Sequence, residues 1–256
     1  MEYVSLDIIV CLKRVPDTET RVRFSDGATA IEPEGVKYIV SPYDEFALEA
    51  ALRTTEAGEE GQVTVMTLGN EDSQETLRVA LAAGADQAVL LRVQGSVTMD
   101  GLATAKALAA ELETREDQLV LFGVKAADDD QQQVGPMVAT LLGRPCASNV
   151  TSFEVNGGVI RCNRGVEGGT EVVEMDLPAV VTLTKGAFEL RYPSLKGIMA
   201  AKRKPLDVKD ADLPASRLVV QRLDYPPERA EGRILGEGAE AVPELVRLLR
   251  DEANVL

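Results

Sequence analysis

The chain has 256 residues, 45% of them hydrophobic, enough apolar material for a sizeable core in one large domain or in one domain with an appendage. It has no histidine, which removes imidazole bases, histidine-containing triads and histidine-ligated zinc or haem. A net charge of -15 argues against broad nucleic-acid binding, and 4% aromatics without tryptophan offer no stacking platform for bases or sugars.

The three cysteines, Cys11, Cys146 and Cys162, are too far apart for a CxxC motif, an iron–sulfur signature or a disulfide framework. No signal peptide or long apolar run is read, so a soluble, cytoplasmic protein without membrane insertion is expected.

Leu6–Leu12 (LDIIVCL) reads as a buried strand in which Cys11 is a small hydrophobe. Lys13 and Arg14 stand at its exit, where they meet an anion, an acidic neighbour or solvent. Thr18–Thr29 alternates around Val22 and Phe24 and ends in Asp26-Gly27, a turn signal, which predicts a small peripheral hairpin. Ser41-Pro42-Tyr43-Asp44 starts a helix, with Ser41 at N-cap, Pro42 at N1 and Asp44 in the reciprocal N3 position. That start is either a well-capped helix and nothing more, or a set of backbone donors for an anion.

Gln62–Leu68 is the next strand. A helix capped by Asp72 or Ser73 runs to Ala83 and stops at Gly84. Strand Gln87–Val93 follows, then a helix from about Met99 to Glu113 whose alanines let it lie close to a sheet. This alternation predicts a Rossmann-like three-layer α/β fold with a mostly parallel sheet and right-handed crossovers. No GxGxxG or GxxxxGK signature is present, which disfavours fingerprint dinucleotide binding and P-loop hydrolysis.

Leu119–Gly143 is the stretch around which the rest is arranged. Strand Leu119–Val124 runs into the polar loop Lys125–Gln133, and a helix follows with Val134, Met137, Val138, Leu141 and Leu142 on one face. Asp128, Asp129 and Asp130 repel one another unless solvent, backbone donors or a ligand hold them, and the plain alternative is a solvated loop capping the next helix. Three consecutive carboxylates do not easily face one hard cation, so no metal site is read. They suit hydroxyl or base donors, while backbone amides meet a phosphate. Gly135 permits close backbone approach, and Gln131, Gln132 and Gln133 both donate and accept. This points to a bound nucleotide used as cofactor or structural ligand. No catalytic constellation of nucleophile, base and oxyanion donors is found.

Ser152–Asp176 changes period and reads as antiparallel strands extending the sheet, followed by a core strand at Pro178–Thr184. Phe188–Leu206 mixes apolar Leu195, Ile198 and Met199 with Lys196, Lys202, Arg203 and Lys204. It either docks an acidic partner or is a short packed helix with solvated lysines. Val208–Arg233 is rich in proline and charge and reads as an extended arm, and Glu240–Glu252 as a final amphipathic helix. The expected division is a nucleotide-binding domain over residues 1–206 and an arm over 207–256.

Five stretches, Val10–Thr18, Glu34–Leu52, Gln74–Asp86, Lys125–Gly135 and Arg191–Leu206, together resemble the beta subunit of electron transfer flavoproteins, within the adenine-nucleotide alpha-hydrolase-like superfamily. The resemblance implies a heterodimer with an alpha subunit, carrying one FAD held mainly by alpha. Such a pair passes electrons from acyl-CoA or other flavoprotein dehydrogenases to a quinone oxidoreductase or another acceptor. It also implies an adenine-nucleotide site in this chain, holding AMP in the ordinary type or a second FAD in the electron-bifurcating type. The matching positions are Cys11, Ser41–Asp44, Leu68 and Gly123–Val134. Leu195 would anchor a partner-recognition loop, flanked by Lys202 and Lys204. Asp128-Asp129-Asp130 is similar to the ordinary type, Gln133-Val134-Gly135-Pro136 to the bifurcating type. The competing class is an adenine-nucleotide sensor or adenylation module unrelated to electron transfer.

Overall fold

The apolar runs form strands because each is short, rich in branched residues and closed by glycine, a charge or a turn. The structure, a computed structural model, describes residues 6–25, 27–58, 61–94, 100–186, 189–228 and 231–256. In chain order the elements are β1 (Ile8–Cys11), β2 (Arg14–Pro16), β3 (Tyr38–Val40), α1 (Pro42–Glu56), β4 (Val63–Gly69), α2 (Ser73–Ala83), β5 (Gln87–Arg92), α3 (Gly101–Leu112) and β6 (Leu119–Gly123). They continue with α4 (Val134–Leu142), β7 (Cys146–Asn156), β8 (Val159–Val166), β9 (Gly169–Asp176), β10 (Ala179–Leu183), α5 (Leu195–Ala201), β11 (Leu206–Asp210) and α6 (Val242–Asp251), with a 3-10 turn at Ala239–Ala241. The chain divides into two units, Met1–Gln221 and Arg222–Leu256.

In the first unit nine strands form one sheet in the order β11-β5-β4-β1-β6-β10-β7-β8-β9. The strands from β11 to β7 are parallel, and β8 and β9 extend the sheet antiparallel, as expected from the change of period. Successive residues of β1 feed opposite faces. Ile8 and Val10 pack with Leu48, Leu52, Leu77 and Leu81 from α1 and α2. Ile9 and Cys11 pack with Leu108, Leu112 and Val138 from α3 and α4. Both faces of the central strands are therefore covered, which is why their sequences are unbroken apolar runs. The three-layer reading holds.

Strand β1 lies between β4 and β6, so the chain winds outward in one direction from β1 and then in the other. The carboxyl ends of β1 and β6 flank the point of reversal, where open α/β sheets bind ligands.

Two elements depart from the sequence reading. Beyond β1 the chain turns into the ribbon β2–β3, paired through Arg14 to Val40 and Pro16 to Tyr38. The expected hairpin at Thr18–Thr29 is represented by a bridge from Phe24 to Ile31; Asp26 lies outside the described residues. Strand β11, in the stretch expected to open the arm, completes the sheet edge beside β5. Its LDVKD sequence reads as polar because its charges have partners elsewhere: Asp210 meets Arg92 at 2.8 Å and Lys209 meets Glu111 at 2.7 Å. Charged edge strands also resist pairing with other chains. The helix expected from about Met99 begins at Gly101, capped by Asp100, which accepts the Ala103 amide at 2.7 Å; Met99 and Phe188 lie outside the described residues.

In the second unit α6 turns Leu248 inward, while Val242 and Leu245 stay exposed. Arg247 pairs with Glu244 at 2.8 Å along the helix. No helix among the described residues is long and apolar enough to cross a membrane.

Candidate functional site

The site grows from a carboxylate. Ser41 occupies the N-cap of α1 with Pro42 behind it, but Ser41 makes no side-chain cap and Asp44 does not return to it. The reciprocal capping expected of Asp44 is corrected by what its oxygens do instead. Oδ2 accepts the Lys13 amide at 2.7 Å and Oδ1 accepts the Gly123 amide at 2.9 Å. These amides leave β1 and β6 side by side at the reversal point, and one carboxylate with two oxygens satisfies both. A side chain at Gly123 would run into the Asp44 carboxylate and the α1 backbone. Burial pushes the Asp44 carboxyl up to about 7, against the pull of the Lys13 and Gly123 amides. The neighbouring Cys11 thiol is pushed up by burial and then by the Asp44 charge, so it stays protonated and acts as packing, not as a nucleophile.

The aspartate run is held by two lysines. Lys13 Nζ donates to Asp128 Oδ1 and Asp129 Oδ2, each at 2.8 Å, and Lys125 Nζ donates to Asp130 at 2.8 Å. Burial alone would lower the Lys13 ammonium, but the bonds to Asp128 and Asp129 outweigh it and hold the group above the ordinary lysine value. Lys125 also stands 5.6 Å from the centre of the Tyr43 ring. The loop bends through Asp130 and Gln132, whose φ angles of 52° and 56° lie in the left-handed region. It enters α4 through Gln133, which provides no side-chain cap. The first-turn amides of Val134 and Gly135 therefore lack helical partners. Gly135 sits so close to the sheet that a Cβ there would stand 2.6 Å from Thr182 Cγ2.

Together these parts enclose a cleft of about 220 Å³. Of the residues read from the sequence, Cys11, Asp44, Leu68, Gly123, Lys125, Ala126, Asp129, Gln131, Gln132, Gln133, Val134 and Gly135 line it. Ser41, Pro42, Tyr43, Asp128 and Asp130 do not: the first three start the helix that carries Asp44, and the two aspartates grip lysines. Val124, within the Gly123–Val134 stretch read from the sequence, lines it as well, and so do Leu12, Lys13, Gly101, Thr104, Leu108 and Phe122, to which the sequence reading assigned no place in the site. Phe122 and Leu12 were findable as neighbours of strand ends. Gly101 and Thr104 come from the first turn of α3, which only the sheet order brings beside α4. Its lining combines apolar side chains, Leu12, Leu68, Leu108 and Phe122, with polar ones, Lys13, Asp44, Asp129 and Gln131–Gln133, the mixture of a small-molecule pocket.

The outer segment is separate. Ser194 caps α5 by accepting the Gly197 amide at 3.0 Å. Leu195 is 84% exposed and Met199 73%, and Ile198 is partly so. Lys202 is exposed beside them. Lys204 has an internal task instead: its ammonium donates to the carbonyls of Leu81, Gly84 and Ala85 at 3.1, 3.1 and 2.6 Å, closing the end of α2.

Residues 29–214 match the family model described as the electron transfer flavoprotein domain. The chain is 38% identical over 261 residues to the electron transfer flavoprotein subunit beta of Bacillus subtilis, covering 98% of this chain and all of the relative. It is 38% identical over 229 residues to the subunit beta of Syntrophomonas wolfei, covering 90% and 89%. It is 35% identical over 233 residues to the human subunit beta, covering 89% and 91%. The chain belongs to the electron transfer flavoprotein beta-subunit family.

Family membership sets the geometry in context. The matched region takes in α1, β6, the loop into α4 and the α5 segment; β1 with Cys11, Leu12 and Lys13 precedes it, and the Arg222–Leu256 unit lies beyond it. Among the described residues no cluster of carboxylates and cysteines forms a metal site.

Proposed function

We propose that this chain is the beta half of a heterodimeric electron transfer flavoprotein. Paired with an alpha subunit, it carries electrons from flavoprotein dehydrogenases to a quinone oxidoreductase or other acceptor. The flavin, held mainly by alpha, supplies reversible electron uptake. This chain contributes a nucleotide cleft, a partner-docking segment around Leu195 and a C-terminal arm against alpha.

The cleft's occupant in this reading is AMP. The observation that carries it is the mouth of the cleft. Uncapped amides at Val134 and Gly135 face a phosphate. Two lysines against three aspartates leave one net negative charge there, which penalises each additional phosphate charge. The apolar walls from Leu68, Leu108 and Phe122 suit an adenine, and Gln131–Gln133 reach its ribose or phosphate. A second FAD in this cleft is the other reading, favoured by the Gln133-Val134-Gly135-Pro136 sequence.

Co-expression with the alpha subunit, followed by a visible spectrum and chromatography of released nucleotides, tests both. One FAD and one AMP per heterodimer is expected. Two FAD supports the bifurcating type. Absence of a stable partner and of flavin overturns the assignment.

A further inference from the structure

The docking segment has few apolar contacts of its own, yet it does not lie loose. Its entry is locked to α1. Arg191 Nε donates to Glu49 Oε2 at 2.7 Å, and Nη2 reaches Glu49 Oε1 at 3.2 Å. On the other side Nη1 and Nη2 donate to the two oxygens of Glu56 at 2.6 and 2.9 Å. Glu49 is 3% exposed, a buried charge among the described residues alongside Asp44 and Asp117, and the nucleotide cleft makes no use of it. Arg53 completes the arrangement, donating to Glu49 at 2.6 Å and to the Glu189 carbonyl at 3.3 Å. The exit of α5 is locked to α2. Arg78 donates to the carbonyls of Ala201 and Lys204 at 2.6 and 2.9 Å, and Lys204 caps α2 in return. Between the two locks, Tyr192 is 92% exposed and Leu195 84%.

We infer that Arg191 is a positioning residue for partner docking: its double grip on Glu49 and Glu56 holds the entry to α5 so that Tyr192, Leu195 and Met199 are presented in one preformed arrangement. The inference rests on the docking role proposed above. A buried carboxylate at Glu49 is costly unless paired, so the chain leaving the β10 end is drawn to one place on α1. A guanidinium is suited to gripping two carboxylates at once, because its planar fork presents donors in fixed directions. Holding the segment in place beforehand removes the ordering cost that a mobile loop would meet on binding, so loss of the grip weakens association without altering the electron-transfer step within the complex.

The test uses the intact heterodimer with an acyl-CoA dehydrogenase as electron donor, and compares Arg191→Gln, Arg191→Lys, Glu56→Gln and Leu195→Ala. Arg191→Gln is expected to speed amide hydrogen exchange across residues 195–201 by about tenfold or more. It should raise the KM for the heterodimer by a similar factor, with kcat and FAD content unchanged. Arg191→Lys recovers part of both effects, because it restores the charge but not the fork. Glu56→Gln, at the exposed end of the grip, gives a milder version should the Gln variant fail to fold. Unchanged exchange in both Arg191→Gln and Glu56→Gln overturns the proposal. So does faster exchange with an unchanged KM, where Leu195→Ala does raise it. Leu195→Ala leaving the KM untouched overturns the docking reading itself, while the exchange data still decide whether Arg191 orders α5.

Discussion

The Gly123 amide donates to the carboxylate of Asp44 at 2.9 Å across 79 residues of sequence. With the Lys13 amide on the other oxygen at 2.7 Å, one side chain ties together the strand ends that form the floor of the cleft. Asp44→Asn keeps one acceptor and turns an NH2 group toward the other amide. A loss of roughly 1–3 kcal/mol in urea unfolding is expected, the cost of one unsatisfied buried donor.

The same residue gives a pH dependence. Its carboxyl lies at about 7 in the fold against about 3.9 in an unfolded chain. Between those values the native state keeps a proton that the unfolded state has released. The Asp44 contribution is full below about pH 4, falls as pH rises through the window by up to ~1.4 kcal/mol per unit, and levels off above about 7. The stability difference between wild type and Asp44→Asn, measured from pH 4 to 8, should shrink as pH rises. A flat difference would show that Asp44 is ionised throughout.

Asp129 lines the cleft and shares Lys13 with Asp128. In Asp129→Gly, Lys13 keeps Asp128 and the mouth loses one negative charge. FAD affinity, followed by titration of nucleotide-free protein, is expected to rise several-fold, with AMP affinity rising less. An FAD affinity equal to wild type would remove charge as the basis of selection. The pairs are partly exposed, so global stability should change by no more than about 1 kcal/mol.

Gly135→Ala forces a methyl to within 2.6 Å of Thr182 and 3.4 Å of the Phe122 ring. The start of α4 must move off the sheet, with a stability loss of about 1–3 kcal/mol and loss of bound nucleotide. Thermal unfolding and nucleotide analysis of the same sample check the two effects together.

Leu195→Ala, in contrast, removes a side chain with 84% exposure. Stability should stay within about 0.5 kcal/mol, with nucleotide content intact, while electron transfer with a dehydrogenase slows. Parallel loss of nucleotide and transfer would refute the separation of the two sites.

The sequence made the parallel sheet legible because its strands are buried on both faces and its helices carry capping residues and glycine stops, as at Gly84. The loop Lys125–Gln133 stood out because three adjacent carboxylates need a physical reason. What those carboxylates meet was not legible: Lys13 is 115 residues from Asp128, and only the sheet order makes them neighbours. Asp44 fitted a local capping pattern so well that its long-range partners were hidden. Strand β11 was missed because its charges are satisfied by Arg92 and Glu111, neither of them near in sequence. Lys204 looked like one of several surface cations until the end of α2 was seen beneath it.

The edge position of β11 bears on how the molecule is made. Asp210 meets Arg92 over a separation of 118 residues, so β5, an apolar strand with one open side, is synthesised long before the strand that shields it. During translation that flank is exposed to other nascent chains. A polypeptide ended before Leu206 would keep it exposed for good, and would be prone to aggregate even with the cleft beside β1 and β6 complete.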